Sequence, residues 1–394
     1  MLVIVAPGQG SQAPGFLSPW LDLAPVAARL AWMSAVADLD LVRHGTVSDA
    51  QTIRDTAVAQ PLIVAAALAA APELFADPAD ESRLVGAVAG HSVGELAAAA
   101  LAGVISVEQA MVLVRERGRA MAAASAVRPT GMTALVGGDP EEVRTAIEAV
   151  GATAANVNGA GQIVAAGTAE QLAALAEKPP ARTRVLPLSV AGAFHTHHMA
   201  PAVDVLARYV AAIDAHDART RLLSNADGTV VHDGREVLDR LVRQVASPVR
   251  WDLCMQTLAD LGASAVIELP PAGTLTGLIR RTLPGVQTLA LKTPDDLPAA
   301  RELVARHATP TDLAATPTWR VVVSPTAGTF ARVDAATDQL LAPGTTVGTV
   351  ITRRDRVPVV APHGGTVIEW LAEDGDPVAP GQPLLRLHPT SATS

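Results

Sequence analysis

The chain has 394 residues, enough for about two or three domains of ordinary size. Hydrophobic residues make up 49% of it but aromatics only 3%, so its core has to be built from Ala, Val and Leu, and a net charge of −9 argues against nucleic-acid binding. Cys254 is the only cysteine, which rules out an internal disulfide and suits a reducing, cytoplasmic setting.

In chain order, Leu2–Ala6 is a strand-like run that leads directly into a glycine-rich loop, Pro7-Gly8-Gln9-Gly10-Ser11-Gln12. A signal peptide is not expected here, nor a membrane partner, because no uninterrupted apolar stretch reaches spanning length. The loop lacks the Gly-Lys-Ser/Thr ending of a phosphate-binding loop, so nucleotide binding is not expected. Placed after a first strand, it can offer a backbone N–H to a developing oxyanion. Apolar strand-like runs and Ala/Leu-rich helical segments then alternate through Pro61–Ala71, Val85–Ala89, Gln109–Ala124 and Ala263–Leu269, the pattern of an α/β fold with a largely parallel sheet.

Gly90-His91-Ser92-Val93-Gly94 follows the run ending at Ala89 and precedes the alanine-rich Leu96–Ala102. Strand, tight turn and helix are the setting of a nucleophile elbow. Glycines at 90 and 94 let strand and helix approach closely, Ser92 stands at the apex, and the helix N-terminus aims N–H groups and partial positive charge at it. His91, beside the nucleophile, reads as structural. Arg115 and Arg119 read as a solvated charged face, whereas Arg117, before Gly118, can turn inward, where it needs an anionic partner such as a bound carboxylate.

Residues 126–190 read as a small α+β unit, with strands Met132–Val136 and Ile163–Ala166 and helices Pro140–Ala149 and Ala169–Leu175. After the strand-like Val185–Val190 and the flexible Ala191-Gly192-Ala193 comes Phe194-His195, and His195 is the candidate base for Ser92. His197 and His198 read as rim residues. The spacing of His195, His197 and His198 matches no common ligand pattern, so no metal site is expected. Beyond Arg306 the chain turns Pro/Thr/Ala-rich, reading as a linker over 306–317. It then repeats itself: Pro325 and Pro362 open similar segments, as do Ala342-Pro343-Gly344 and Ala379-Pro380-Gly381, both at an offset of 37 residues. Two such copies can pair into a small symmetric β unit over 318–389, with Thr352–Arg356 as the turn between them.

The loop at 8–12, the elbow with Glu95, Arg117-Gly118, Asn156-Val157-Asn158-Gly159-Ala160-Gly161-Gln162 and Gly192-Ala193-Phe194-His195 occur together in an order and spacing that resemble the malonyl-CoA:acyl carrier protein transacylases of bacterial fatty acid and polyketide synthesis, covering residues 1 to about 305. The resemblance implies an α/β-hydrolase-like core (1–125 and 191–305) with an inserted ferredoxin-like α+β subdomain (126–190). It implies malonyl transfer from malonyl-CoA to the phosphopantetheine thiol of acyl carrier protein through a malonyl-Ser92 intermediate. It further implies that His195 is the base, held by the backbone carbonyl of Gln244, that Gln9 and Val93 supply the oxyanion N–H groups, and that Arg117 clamps the malonyl carboxylate. Asn156, Asn158, Gln162 and Phe194 would line the pocket. In related acyltransferases an Ala-Phe-His sequence goes with malonyl, and a Ser in place of the Phe with methylmalonyl.

Residues 318–389 resemble a biotinyl/lipoyl-like barrel-sandwich domain, an all-β unit. Such domains carry a modifiable lysine at the turn between their halves. Arg354 holds that place and the segment has no lysine, so neither biotin nor lipoate is expected as cofactor. Two other readings remain open from sequence. One is an esterase or thioesterase, which would need an acidic residue to orient His195. The other is a docking or scaffold role for 318–389.

Overall fold

The structure, a computed structural model, describes residues 1–77, 80–190, 192–308, 320–333, 339–362 and 364–388. It divides into two units, Met1–Thr311 and Asp312–Ser394. The expected linker at 306–317 falls largely outside the described residues; within them, the helix Leu297–His307 carries the first unit past the expected end at 305.

Among the described residues, eleven strands build the first unit: β1 (Leu2–Ala6), β2 (Ala87–Gly90), β3 (Thr130–Gly137), β4 (Thr153–Gly159), β5 (Gln162–Thr168), β6 (Thr183–Pro187), β7 (Arg221–Leu223), β8 (Val230–Val231), β9 (Val249–Arg250), β10 (Ala265–Glu268) and β11 (Gln287–Ala290). The main sheet runs β11-β10-β1-β2-β7-β8, parallel except for the final β7–β8 pair. Its central strands are apolar on both faces. Leu2 and Ile4 join one buried cluster, while Val3 and Val5 join another on the opposite side. Because β1, β2 and β7 are neighbours and parallel, the loops after Ala6, Gly90 and Leu223 emerge side by side at the carboxyl edge, where open α/β sheets place their sites.

The helix Thr56–Ala70 is buried along nearly its whole length. With its short extension it forms a span, Thr56–Leu74, that is long and apolar enough to cross a membrane by length and composition. Gln60 and Glu73 interrupt it, so no uninterrupted apolar stretch of that length is present, as expected. The span is 78% buried within the protein and serves as a core helix. Small residues allow this: Ala65, Ala66, Ala67, Ala69 and Ala70 are all buried. Gly118 has the same effect on the neighbouring helix Val107–Ala126. A Cβ there would lie 2.9 Å from the Thr56 carbonyl oxygen, so only glycine lets these two helices cross so closely.

The inserted unit follows the order β3, helix Pro140–Ala149, β4, β5, helix Ala169–Glu177, β6. Its antiparallel strands lie in the order β6-β3-β5-β4, and two-residue β9, from the main body, adds a parallel fifth strand beside β4. Asp139 caps the first helix with Pro140 at its start, and Thr168 and Gln171 form a capping box on the second. The second helix runs to Glu177, two residues beyond the expected Leu175. The strand-like Val185–Val190 is realised as β6, which ends at Pro187.

The second unit contains β12 (Arg320–Val323), β13 (Gly328–Arg332), β14 (Leu340–Leu341), β15 (Thr346–Ile351), β16 (Arg356–Val360), β17 (Gly365–Trp370), β18 (Pro377–Val378) and β19 (Pro383–His388). Two four-stranded sheets result, β12-β19-β17-β14 and β16-β15-β13-β18. Gly328 opens β13 and Gly365 opens β17; Leu340 and Pro377, then Thr346 and Pro383, stand at the same 37-residue offset. Pairings follow the repeat too: β13–β15 matches β17–β19, and β13–β18 matches β14–β17. Each sheet thus mixes strands from both copies, so neither copy has a core alone. Phe330, Val347 and Val350 from one copy and Val367, Leu384 and Leu387 from the other share a single buried cluster.

Candidate active site

Ser92 stands between β2 and the helix Gly94–Leu101 with φ of 53°, in the left-handed region that costs a non-glycine residue of order 1–3 kcal/mol. The neighbouring glycines make this turn possible. A Cβ on Gly90 would lie 2.0 Å from the Gly94 carbonyl carbon, and one on Gly94 would lie 2.2 Å from the Ala6 carbonyl oxygen. His195 also has positive φ, 61°. Two strained residues thus face each other, the pattern of a preorganised site.

Ser92 Oγ lies 2.7 Å from His195 Nε2, and His195 Nδ1 lies 2.8 Å from the main-chain oxygen of Gln244. A carbonyl oxygen can only accept, so Nδ1 carries the proton and Nε2 presents its lone pair to the serine hydroxyl. Burial, aided by the positive charge of Arg117, depresses His195 to about 3, so the ring is neutral at ordinary pH. No carboxylate touches His195 among the described residues; this is the arrangement expected of a carbonyl-held base and differs from an acid-oriented hydrolase triad.

Arg117 turns inward as its place before Gly118 suggested, and is 2% exposed. Nη1 donates to Gln60 Oε1 at 2.8 Å, and Nη2 donates to Gln244 Oε1 at 2.9 Å and reaches Ser92 Oγ at 3.4 Å. Its hydrogen-bond partners in the protein are therefore neutral oxygens, and the anion its place calls for is that of a bound carboxylate, as the sequence leads one to expect. Burial lowers Arg117 to about 10, opposed by the charge of Glu95, and it remains cationic at pH 7. Arg119 is exposed and paired with Asp38, but Arg115 is half-buried, donating to Glu116 and to the Val36 carbonyl, so the solvated reading fits Arg119 better.

Around the elbow, the N–H groups of His91, Ser92, Gly94 and Glu95 donate within the protein, to Ala6 O, Asn225 Oδ1, His91 O and Ser92 O. Among the described residues the Val93 and Gln9 N–H groups have no such acceptor, which suits them to an incoming oxyanion. The Gln9 side chain donates away, to the Arg54 carbonyl and Thr56 Oγ1.

His91 bonds Asn158 Oδ1 at 2.9 Å, and Asn158 Nδ2 donates to Gln162 Oε1 at 2.9 Å. Trp251 meets the His91 ring edge-on at 5.7 Å. Held on both sides, His91 is structural. Gln162 ends this row on a cavity of about 190 Å³ that Gly137, Gly161 and Asp252 also line. Asn156 lies on β4 two residues from Asn158; its buried Oδ1 has no hydrogen-bond partner among the described residues. Phe194 is buried beside His195, with its ring against Gly192, where a Cβ would lie 3.2 Å from it. His198 bonds through its backbone to Thr196, and no group of three or more His, Cys, Asp or Glu residues able to hold a metal occurs among the described residues.

Three functional neighbours escaped the sequence reading. Gln60 is a buried amide in an otherwise apolar helix, immediately before Pro61, and that isolated polarity was its only signal. Asn225 follows β7 and braces the elbow through Ser92 N and the Gly90 carbonyl, both at 2.8 Å. Glu95 is buried and accepts from Asn225 N and Gln244 Nε2. Burial pushes its carboxyl up to about 8, against those N–H groups and the charge of Arg117.

A serine elbow, a carbonyl-held histidine and a buried arginine on a parallel α/β sheet define a serine-nucleophile acyltransferase. The acyl transferase domain family matches residues 3–298. Malonyl CoA-acyl carrier protein transacylases of Mycobacterium tuberculosis and Mycolicibacterium smegmatis are 52% and 48% identical over 300 and 291 residues, 75% and 73% of this chain and 98% and 100% of theirs. The crystal structure of the M. tuberculosis enzyme superposes with a TM-score of 0.73 at 51% identity, covering 76% of this chain and 99% of that one. A malonyl-transacylase solved in complex with its type II polyketide acyl carrier protein superposes at 0.72 with 29% identity, covering 77% and 99%. The chain belongs to the acyl transferase family, among the malonyl-CoA:acyl carrier protein transacylases.

Proposed function

We propose that this chain transfers malonyl from malonyl-CoA to the phosphopantetheine thiol of an acyl carrier protein, through malonyl-Ser92. The observation that carries the reading is Arg117, a buried guanidinium 3.4 Å from the nucleophile whose hydrogen-bond partners are neutral amides. An acyl group bearing a carboxylate two carbons from its thioester carbonyl gives that charge the anion it lacks, in a bidentate fork.

His195 Nε2 takes the Ser92 hydroxyl proton as Oγ attacks the thioester carbonyl. Negative charge gathers on that oxygen, facing the N–H groups of Gln9 and Val93. Collapse breaks the C–S bond, and the coenzyme A sulfur leaves with the proton from His195. The carrier thiol then gives its proton to His195, attacks the malonyl ester, and returns Ser92 to its hydroxyl form. A thiol is a good leaving group, so a neutral, weakly basic histidine without an acidic partner suffices. Asn156, Asn158 and Gln162 line the approach of the thioester arm, and Phe194 closes the space beside the malonyl methylene.

Intact-mass detection of an 86 Da malonyl adduct (roughly, the acyl mass gained less one hydrogen) on wild type, absent from Ser92→Ala, tests this. An adduct that persists in Ser92→Ala defeats it. A hydrolase reading finds no support, since His195 is held by a carbonyl.

We further read 126–190 as ferredoxin-like, on its strand order, and 318–389 as biotinyl/lipoyl-like, on its interleaved repeat. Arg354 lies in the β15–β16 turn, where Thr352 Oγ1 accepts from the Arg354 and Asp355 N–H groups. A guanidinium stays protonated and cannot form the usual amide, so neither biotin nor lipoate is carried. The single, buried Cys254 supports a cytoplasmic setting.

A further inference from the structure

Glu95 is a buried carboxyl that no step of the transfer uses. It lies in the first turn of the helix Gly94–Leu101, where an acidic residue ordinarily supports its own helix. Its hydrogen bonds go elsewhere. Oε1 accepts from the Asn225 N–H and Oε2 from Gln244 Nε2, groups that come from the loop after β7 and from the helix Gly234–Gln244.

Each of these two residues holds part of the site. Asn225 Oδ1 accepts from Ser92 N at 2.8 Å, which fixes the elbow and leaves the next amide, Val93 N–H, free for the oxyanion. Gln244 donates to the Ser92 carbonyl at 3.0 Å, accepts from Arg117 Nη2 at 2.9 Å through its side chain, and holds His195 Nδ1 at 2.8 Å through its main chain. One carboxyl therefore ties together the residues that hold the nucleophile, the base and the clamp. The chemistry calls for a carboxyl group at this point: two N–H donors converge on it, and both of its oxygens can accept whether or not it carries a proton. An amide of equal size offers only one acceptor and turns an NH₂ toward the other donor.

We propose that Glu95 is a positioning residue for acyl transfer, acting through Asn225 and Gln244 to hold Ser92, His195 and Arg117 in register. The inference rests on Ser92 as the acylated residue, so Ser92→Ala runs alongside; if wild type forms no malonyl adduct, that reading fails whatever Glu95 does. The variant is Glu95→Gln, with the single-turnover acylation rate followed at saturating malonyl-CoA. Small misplacements of reacting groups are costly, so the rate should fall at least about fivefold. Above about pH 8, where the carboxyl is ionised, burying a neutral amide is easier, so the thermal midpoint measured there should not fall. A smaller loss of rate, or a loss explained by a lower midpoint and a smaller folded fraction, overturns the proposal.

Gln244→Ala gives a second route that needs no change at Glu95, since it keeps the main-chain carbonyl on His195. It should also slow acylation at least about fivefold, and the double variant should cost less than the product of the two single losses, as coupled neighbours do. An unaffected Gln244→Ala rate, or losses that simply multiply, overturns it as well.

Discussion

Arg117 Nη2 and Ser92 Oγ lie 3.4 Å apart, although one residue sits in the elbow turn and the other on a helix 25 positions further along the sequence. The approach depends on Gly118, which lets the helix Val107–Ala126 pack against Thr56–Ala70 and brings Arg117 to Gln60. Positive charge is therefore fixed beside the nucleophile before any substrate arrives, and the charge of the acyl group, more than its size, should decide what Ser92 accepts.

Replacing Arg117 by Ala should test this directly. A charge-assisted fork is worth about 1.5–3 kcal/mol, so malonyl transfer should fall by about ten- to a hundredfold relative to acetyl transfer. The substitution also strands two buried amide oxygens, on Gln60 and Gln244, and will cost stability. Acetyl-CoA assayed on the same preparation corrects for that loss. An unchanged malonyl-to-acetyl ratio refutes the clamp.

His195 should leave its mark on pH dependence. A base works only when unprotonated, and burial together with Arg117 holds this ring neutral down to about 3. On acidification kcat/KM for acylation should therefore show no fall through the ordinary histidine range near 6.5, as far down as the fold survives. A limb near 6.5 that vanishes in a histidine variant would contradict the assignment. His195→Ala itself should slow acylation and transfer by at least about a hundredfold, the usual worth of a general base.

Glu95 has the opposite sign, and its effect falls on stability. Its folded carboxyl is raised from 4.5 to about 8, so between those values the folded state holds a proton that the unfolded chain has lost. Stability should consequently fall as pH rises through that window. Thermal midpoints of wild type and Glu95→Gln, measured from pH 5 to pH 8, should diverge in favour of the variant as pH rises. Parallel curves would mean that the carboxyl is already ionised in the folded protein at the bottom of the range.

The parts of the site legible in the sequence were those carried by contiguous residues. The elbow shows itself through two glycines around a serine, His195 through its Phe and the small residues before it, and Arg117 through the glycine that follows. The helix Pro140–Ala149 could be placed to the residue because Asp139 and Pro140 mark its start. Gln60, Asn225 and Glu95 gain their meaning only where the loops after β1, β2 and β7 meet a helix from much earlier in the chain, and no local pattern encodes that meeting. Strand β9 is only two residues long, too short to show any alternation. The span Thr56–Leu74 shows why length and composition cannot by themselves separate a helix buried in protein from one buried in lipid; its interruption at Gln60, which lies beside Arg117, is what the buried core makes use of.

Phe194 should exclude a branched acyl group. Its ring is buried against Gly192 next to the base, and the expectation is that it blocks an α-methyl group. Malonyl-CoA should be preferred over methylmalonyl-CoA, and Phe194→Ser should narrow the gap. The ceiling is modest, since one methyl is worth roughly 1–3 kcal/mol of discrimination. Competition between the two thioesters for a limiting amount of enzyme, read as the adduct ratio on Ser92, measures it. Equal use of both by wild type would defeat the assignment.

Deleting the second unit is the last test. Ser92, His195, Arg117, Gln60, Asn225, Glu95 and Gln244 all lie in the first unit, and every hydrogen bond that joins them stays within it. The second unit has its own buried cluster, Phe330 and Leu384 among it, and closes its hydrogen bonding through its own repeat. A chain ending near Ala308 should therefore keep wild-type acylation of Ser92 and wild-type transfer to a small thiol. Transfer to carrier protein tests the docking alternative. Arg353, Arg354 and Arg356 are exposed at the β15–β16 turn and form no ion pair among the described residues, so an acidic carrier surface could engage them. If the unit is independent, the KM for carrier protein stays within about twofold of wild type on deletion, since exposed charges contribute little without a partner. A several-fold rise in that KM, with the small-thiol rate unchanged and the same rise in a variant carrying Ala at all three arginines, would assign the turn to carrier docking and end the case for independence.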